Sequence, residues 1–284
     1  MPEQLDLFSG AGPCPTASAP ASIAWTPLDP ARLSDTELIA VLPRARQVEA
    51  PALAREAARR RLPEAVPALE ALCRRFAGFG LDREVTEQTA ALRGLAALGG
   101  PAAAAAVTRL IISGSIHGPG LRVALEAAWT LGCRLPPERI ALWLRDDNPR
   151  LREAACRGAR GGAAVVAALI DLLTDLHPLV THPAALALGR LGRSEAHPVL
   201  LRLLATAPSP EVIHALAGIA DDDDWVRLRQ TALRVPDLAV AVLGALEESE
   251  APRAVAVAAG VRRRLGGRLS VLLAAVPLQR LKER

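Results

Sequence analysis

The sequence predicts an all-α fold, a right-handed α-solenoid of stacked helical pairs, on three observations. The first is a repeat. Leu121-Arg122-Val123-Ala124-Leu125-Glu126-Ala127-Ala128-Trp129 returns as Leu151-Arg152-Glu153-Ala154-Ala155-Cys156-Arg157-Gly158-Ala159, then as Val180-Thr181-His182-Pro183-Ala184-Ala185-Leu186-Ala187-Leu188. The copies start about 30 residues apart, the spacing of helical units that cannot bury their own apolar faces and must bury one another's. The second is composition. Of 284 residues, 51% are hydrophobic but only 2% aromatic, with no Tyr and one Met. The core must be Leu, Val and Ala, of which Leu and Ala are the strongest helix formers. So few aromatics disfavour a β-rich fold. The third is punctuation. Gly132, Pro136-Pro137, Pro149, Gly161-Gly162, Pro178, Gly192, Pro208, Pro210, Pro236 and Pro252 separate the apolar-periodic segments, and Pro is tolerated in a first helical turn because its missing N–H would be unpaired there anyway.

Taken in order, residues 1–30 read as a disordered tail. Ser9-Gly10-Ala11-Gly12-Pro13-Cys14-Pro15 and the residues after it are Pro/Gly/Ser/Ala-rich and lack helical periodicity, the composition of a flexible tether. Ahead of it stands one concentrated apolar group, Gln4-Leu5-Asp6-Leu7-Phe8. A tail gains nothing by exposing Leu, Leu and Phe together unless something receives them. Residues 31–284 read as solenoid. It opens at Ser34-Asp35-Thr36-Glu37, a capping-box spacing in which Ser34 accepts a helix amide and Glu37 reaches back. That helix stops at Pro43. Segments 49–61, 63–77 and 84–98 follow. From 101 the pairs are clearest: 101–113 with 119–132, 136–146 with 149–160, 163–175 with 179–191, and 195–206 with 209–219. The last set is 222–234, 237–248, 251–264 and 267–275, with Gly266-Gly267 read as a break. Pro183 and Pro198 fall inside or at the start of helical patterns.

Asp146-Asp147-Asn148-Pro149 before Leu151-Arg152, the run Gly189-Arg190-Leu191-Gly192, and the pairs Leu172-Leu173, Leu200-Leu201 and Leu203-Leu204 resemble the HEAT-repeat family in its short bacterial form. The resemblance covers residues 62–275 and is weakest before 84 and after 209, where end units cap a stack. It speaks for fold more than function, since such scaffolds host many roles. It implies that Arg122 and Arg152, at one repeat position, pair with a neighbouring Asp to lock adjacent units. It implies also that second helices line the concave face. Arg139, Arg145, Arg202, Arg227 and Arg229 lie on the second helices so read. If aligned, they would form a basic groove able to track a phosphate backbone, diluted by Glu138, Asp146, Glu195 and the Asp run at 221–224.

Gln4-Leu5-Asp6-Leu7-Phe8 resembles the peptide by which bacterial polymerases and repair proteins dock on the sliding clamp of replication, matching it at all five positions. The resemblance implies that Leu7 and Phe8 fill an apolar cleft of the clamp, that Gln4 is the orienting polar contact, that Leu5 is a secondary apolar contact, and that Asp6 occupies the small-or-acidic position. A few buried anchors then supply most of the binding energy, less the cost of ordering the tail.

The remaining features read as structural. The formal charge of +4 and pI near 9.3 come almost wholly from Arg, Lys282 being the single lysine, and carry no nucleic-acid signal without clustering on one face. The most basic part is the end, Arg262-Arg263-Arg264, Arg268, Arg280, Lys282 and Arg284, read as a solvated cap, with DNA contact as the second reading. Cys14, Cys73, Cys133 and Cys156 form no CxxC pair and read as packing residues of a reducing compartment. Asp221-Asp222-Asp223-Asp224 stands where a helix starts, so its carboxylates complement the helix dipole. His117, His177, His182, His197 and His214 show no ligand spacing, and no phosphate loop or nucleophile motif is present. The reading therefore assigns no catalytic residue, no metal and no cofactor. Neither a signal peptide nor an apolar span is evident, so a cytoplasmic protein with no membrane partner is expected.

Together these readings predict a non-enzymatic adaptor. Its tail docks on the sliding clamp, and its solenoid binds a second protein or DNA in replication or repair. Two alternatives stand beside it. One is a protein-interaction scaffold unrelated to DNA, in which the tail packs on the solenoid. The other is a HEAT-like DNA glycosylase using Trp129, Trp143 or Trp225 with Asp146 or Asp147.

Overall fold

The computed structural model describes residues 29–249 and 251–275. Gln4, Leu5, Asp6, Leu7 and Phe8, Cys14 and the basic residues from Arg280 onward lie outside the described residues. Within them the chain forms α-helices and short 3-10 turns, with no strand. The helices are α1 (Asp35–Val41), α2 (Ala50–Arg59), α3 (Val66–Arg75), α4 (Thr86–Leu98), α5 (Gly100–Ile112), α6 (Gly118–Thr130), α7 (Pro137–Trp143), α8 (Pro149–Gly158), α9 (Ala163–Asp171), α10 (Pro178–Arg190), α11 (His197–Thr206), α12 (Pro210–Ala217), α13 (Asp222–Arg234), α14 (Ala239–Glu248) and α15 (Pro252–Ala275).

Their stacking makes a two-layer solenoid. The even helices α2, α4, α6, α8, α10, α12 and α14 each pack on the next in an unbroken series. The odd helices form the second layer, with α3 on α5, α7 on α9 and α13 on α15. The core is what the composition requires: Leu, Ala and Val from every helix, with Leu38, Leu69, Leu95, Leu125, Leu169 and Leu188 fully buried. No helix among the described residues is long and apolar enough to cross a membrane.

Local chemistry sets the ends of the helices. At α1 the Ser34 hydroxyl accepts from the Glu37 amide at 3.3 Å and the Glu37 carboxylate accepts from the Ser34 amide at 2.8 Å, the reciprocal cap read from the sequence. Arg60 then ties this first unit to α2. Its guanidinium donates to the Leu33, Pro30 and Ala31 carbonyls and to Asp35. Arg75 does the same for the next turn, donating to the Pro43 and Ala45 carbonyls.

One element differs from the sequence expectation. Residues 252–275 form one helix, not two, because a Gly in a helix interior costs about 1 kcal/mol, which weakens a helix without ending it. Pro183 lies inside α10, which continues through it. Its ring removes one amide donor, that to the carbonyl of Leu179, an exposed residue.

Three even helices, α2, α6 and α10, share one terminating turn, which α5 also makes at Gly114 with φ +66°. After α6, Gly132 has φ +68°, and the Cys133 amide donates back to the Ala128 carbonyl at 2.8 Å. After α10, Gly192 has φ +67°, and the Arg193 amide reaches the Leu188 carbonyl at 2.9 Å. After α2 the same turn is made by Arg61, with φ +54° and the Leu62 amide on the Ala57 carbonyl. A left-handed conformation costs an L-residue about 1–2 kcal/mol, partly offset by the greater chain entropy glycine loses on folding. Arg61→Gly is therefore expected to raise stability by up to about 1 kcal/mol, read as a higher thermal midpoint. A lower midpoint would contradict this account of the turn.

Candidate functional site

The repeat-position arginines are locks between units. Arg152, on α8, grips Asp175 in the joint before α10 with two parallel bonds, at 2.9 and 3.0 Å. It also donates to the Asp146 and Asp147 carbonyls of its own joint. Arg122, on α6, spans from Glu84 to Glu126. At the third copy the arginine is replaced by Thr181, whose hydroxyl donates to the Asp175 carbonyl, so the forward ion pair stops there. These side chains join helices and offer no charge to a ligand.

The acidic run is a cap and a second lock. The Asp221 carboxylate accepts the Asp223 and Asp224 amides at 2.9 Å each, and the Asp224 carboxylate accepts the Asp221 amide at 3.0 Å. Asp224 is fully buried and also receives His197 Nε2 of α11 at 2.6 Å and the Arg227 guanidinium at 2.7 Å. Burial alone would push the Asp224 carboxyl up, but the bonds from His197, the Asp221 amide and Arg227 outweigh it and hold it below the usual carboxylate range. His197, Asp221 and Asp224 lie close enough together to share a cation. Their oxygens are, however, engaged by amides, an imidazole and a guanidinium, and that guanidinium would repel a metal. The arrangement links α11 to α13.

Other candidate chemistry is committed to packing. Trp143 and Trp225 are buried. The half-buried Trp129 donates its indole N–H to the Ala154 carbonyl at 2.7 Å. Asp146 accepts the Asn148 amide within its own turn. The three tryptophans and the Asp146 carboxylate are thus used for structure, and Asp147 is exposed. Cys73, Cys133 and Cys156 are buried and unpaired with one another, and burial pushes the Cys73 and Cys156 thiols up to about 12. Gln88, not singled out in the sequence, is a buried clasp. Its amide donates to the Cys73, Phe76 and Ser115 carbonyls and so ties together the ends of α3 and α5.

The exposed surface of the odd layer remains. All five arginines of the sequence reading fall on odd helices or their ends. Arg139 and Arg145 are exposed on and just after α7, beside the exposed Leu142, and Arg145 donates to the Ala141 carbonyl. Arg202 is exposed on α11. Arg227 is half-exposed and paired with Asp224. Arg229 faces α15. The structure does not gather the five at one place, but it does gather others around α13. On one side α11 and α13 stand apart, leaving a cleft of about 480 Å³ lined by Leu201, Leu204, Ala205, Arg227, Gln230, Thr231 and Arg234. On the other a notch of about 390 Å³ is lined by Arg229, Leu233, Gly260, Arg263 and Arg264. Arg234 was not singled out in the sequence, and Arg263 and Arg264 read first as part of a solvated cap and only second as DNA contacts. The available signal was α15 itself, which carries five arginines and no acidic residue.

Stacked helical pairs, locked at their joints, define an α-solenoid. Residues 136–235, from α7 to α13, match the family model for HEAT repeats, which supports the HEAT-repeat reading of the central units. HEAT repeats point to a protein-interaction scaffold, and the family is generally non-enzymatic. No curated protein and no solved structure gives a significant match to the chain.

Proposed function

We propose that the chain is a non-enzymatic adaptor. Its tail, through Gln4, Leu5, Asp6, Leu7 and Phe8, docks on a bacterial DNA sliding clamp, and its solenoid presents a second macromolecule there in replication or repair. The scaffold half of this reading rests on the HEAT-repeat match over the central units. The clamp half is carried by one observation, the five-position motif at 4–8 followed by a Pro/Gly/Ser-rich spacer. An extended peptide of this kind binds through few anchors, here Leu7 and Phe8, and pays for its own ordering, so affinity in the micromolar range (~8 kcal/mol) is the natural scale.

The test is binding of the purified protein to a bacterial sliding clamp, beside a Leu7→Ala/Phe8→Ala double variant. Wild type is expected to bind and the variant to lose about 2 kcal/mol or more, the size of an anchor truncation. Wild-type protein that does not bind, or a variant that binds equally well, would remove the clamp from the reading and leave a HEAT-type interaction scaffold. In that case the tail packs on the solenoid, and deleting residues 1–10 lowers the melting temperature.

A further inference from the structure

The notch between α13 and α15 and the cleft between α11 and α13 bring five arginines to the two sides of one helix. Several arginines lying between helices are matched, whereas Arg55 and Arg93 line a cleft of about 260 Å³ between α2 and α4 that has no carboxylate in its lining. Arg60 and Arg75 cap carbonyls, Arg109 pairs with Glu70, and Arg122 and Arg152 pair with carboxylates of neighbouring units. At the notch the matching stops. Arg229, Arg263 and Arg264 line it together with only Leu233 and Gly260, and no carboxylate lines either the notch or the neighbouring cleft. The adjacent Arg262 is turned away onto Glu247. Three guanidiniums with no acidic neighbour repel one another, and a bound anion relieves that repulsion. The floor is open as well. A Cβ added at Gly260 would meet nothing within 4 Å.

We infer that these two openings, flanking α13, are a contact surface for the phosphate backbone of DNA. This identifies the solenoid's partner and so deepens the adaptor reading on which it rests. Two observations favour nucleic acid over an acidic protein. The notch offers one aliphatic side chain and no aromatic anchor, whereas protein interfaces draw most of their energy from buried aromatic and apolar groups. The cations also recur on both sides of one helix. Arg234 faces α11 beside Gln230, with Arg227 seven residues earlier already tied to Asp224, while Arg229 faces α15 with Arg263 and Arg264. A string of phosphates needs such a succession of forked donors. Most of the donors are guanidiniums suited to phosphate, so binding is strongly dependent on salt.

The test is fluorescence anisotropy of the full chain with a labelled DNA duplex of arbitrary sequence, over a salt series, for four proteins. They are the wild type, Arg229→Ala/Arg263→Ala, Gly260→Glu, which places a carboxylate in the open floor, and Arg59→Ala/Arg157→Ala. The last removes the same charge from two even-layer arginines already paired with Glu56 and Glu153. The notch double variant is expected to bind at least about tenfold more weakly, with the slope of log K against log salt reduced by about 2. Gly260→Glu is expected to weaken binding similarly at an unchanged thermal midpoint, and the even-layer variant to bind within about twofold of wild type. Equal losses in the two double variants would show that only net charge matters and would overturn the assignment. So would wild-type binding by both notch variants, or wild-type protein that fails to bind DNA. Displacement of DNA by polyglutamate at matched charge would overturn it in favour of an acidic protein partner. Clamp binding is measured on the same notch variants. If it is kept while DNA binding never existed, this inference alone fails. If DNA binding is present but the clamp is not bound, the clamp half of the adaptor reading fails instead.

Discussion

Replacing Asp224 with alanine is expected to cost about 3 kcal/mol or more, and to open the C-terminal helices while the N-terminal ones stay closed. Asp224 is a fully buried carboxylate, and it does three jobs. It accepts the Asp221 amide in the reciprocal cap of α13, it holds His197 of α11, and it anchors Arg227. A hydrogen bond to a charged group contributes about 1.5–3 kcal/mol and a helix cap about 1 kcal/mol. The sum overstates the loss, because the side chains of His197 and Arg227 are 27% and 46% exposed and can recover water. About 3 kcal/mol is what survives that discount. Each unit of a solenoid contacts only its neighbours, so the loss is local. Hydrogen exchange should accelerate in α11–α13 and leave α2–α6 unchanged. Acid should act through the same group. The folded-state pKa of Asp224 lies below its ordinary value of 3.8. Its contribution is therefore complete above that value and is lost as pH falls through the lower folded one. Wild type should lose C-terminal protection as pH falls below the ordinary carboxylate range, and Asp224→Asn should show less of that dependence. Equal exchange in α11–α13 of wild type and Asp224→Ala would refute the lock.

What was legible in the sequence was whatever is encoded within one unit. The 30-residue period, Ser34 with Glu37, and Gly132 and Gly192 are local signals, and α1, α6 and α10 begin or end where those signals stand. The Arg122 and Arg152 locks were foreseen only through the family resemblance, since their partners Glu84 and Asp175 lie in other joints. Contacts set by stacking left no local trace. His197 meets Asp224 across 27 residues, Gln88 reaches Ser115 across an equal stretch, and no spacing rule connects such pairs. Arg61 was hidden for a different reason. It occupies a turn that α6 and α10 fill with glycine, and an arginine does not announce a left-handed backbone. The odd-layer arginines show the limit most plainly. Their helices could be assigned from periodicity, but whether Arg229 would meet Arg139 or Arg263 depended on how far each pair rotates against the next. The structure sets Arg229 beside Arg263 and Arg264.

Gly158→Ala should reverse the usual rule for helices. In an isolated helix the change would be favourable by about 1 kcal/mol, because alanine is the better helix former. In this structure α6 and α8 are adjacent members of the even layer, and the space beside Gly158 is filled. An added Cβ would lie 2.0 Å from two ring carbons of Trp129. The ring cannot easily swing aside, since its N–H is bonded to the Ala154 carbonyl one turn earlier on α8. Accommodating the methyl means either breaking that bond or separating the helices. Overpacking of this kind costs about 1–3 kcal/mol, and a half-buried indole N–H left without its acceptor costs about 1 kcal/mol more. The propensity gain offsets only part of this, so a net destabilisation of about 2–3 kcal/mol is expected by chemical denaturation. A double-mutant cycle locates the cause. In a Trp129→Ala background the ring is gone and the same methyl enters vacant space, so Gly158→Ala should there be neutral or stabilising, with a coupling of about 2 kcal/mol or more. If the glycine substitution costs as much without the ring as with it, the close approach of α6 and α8 through Trp129 is not what requires glycine at this position.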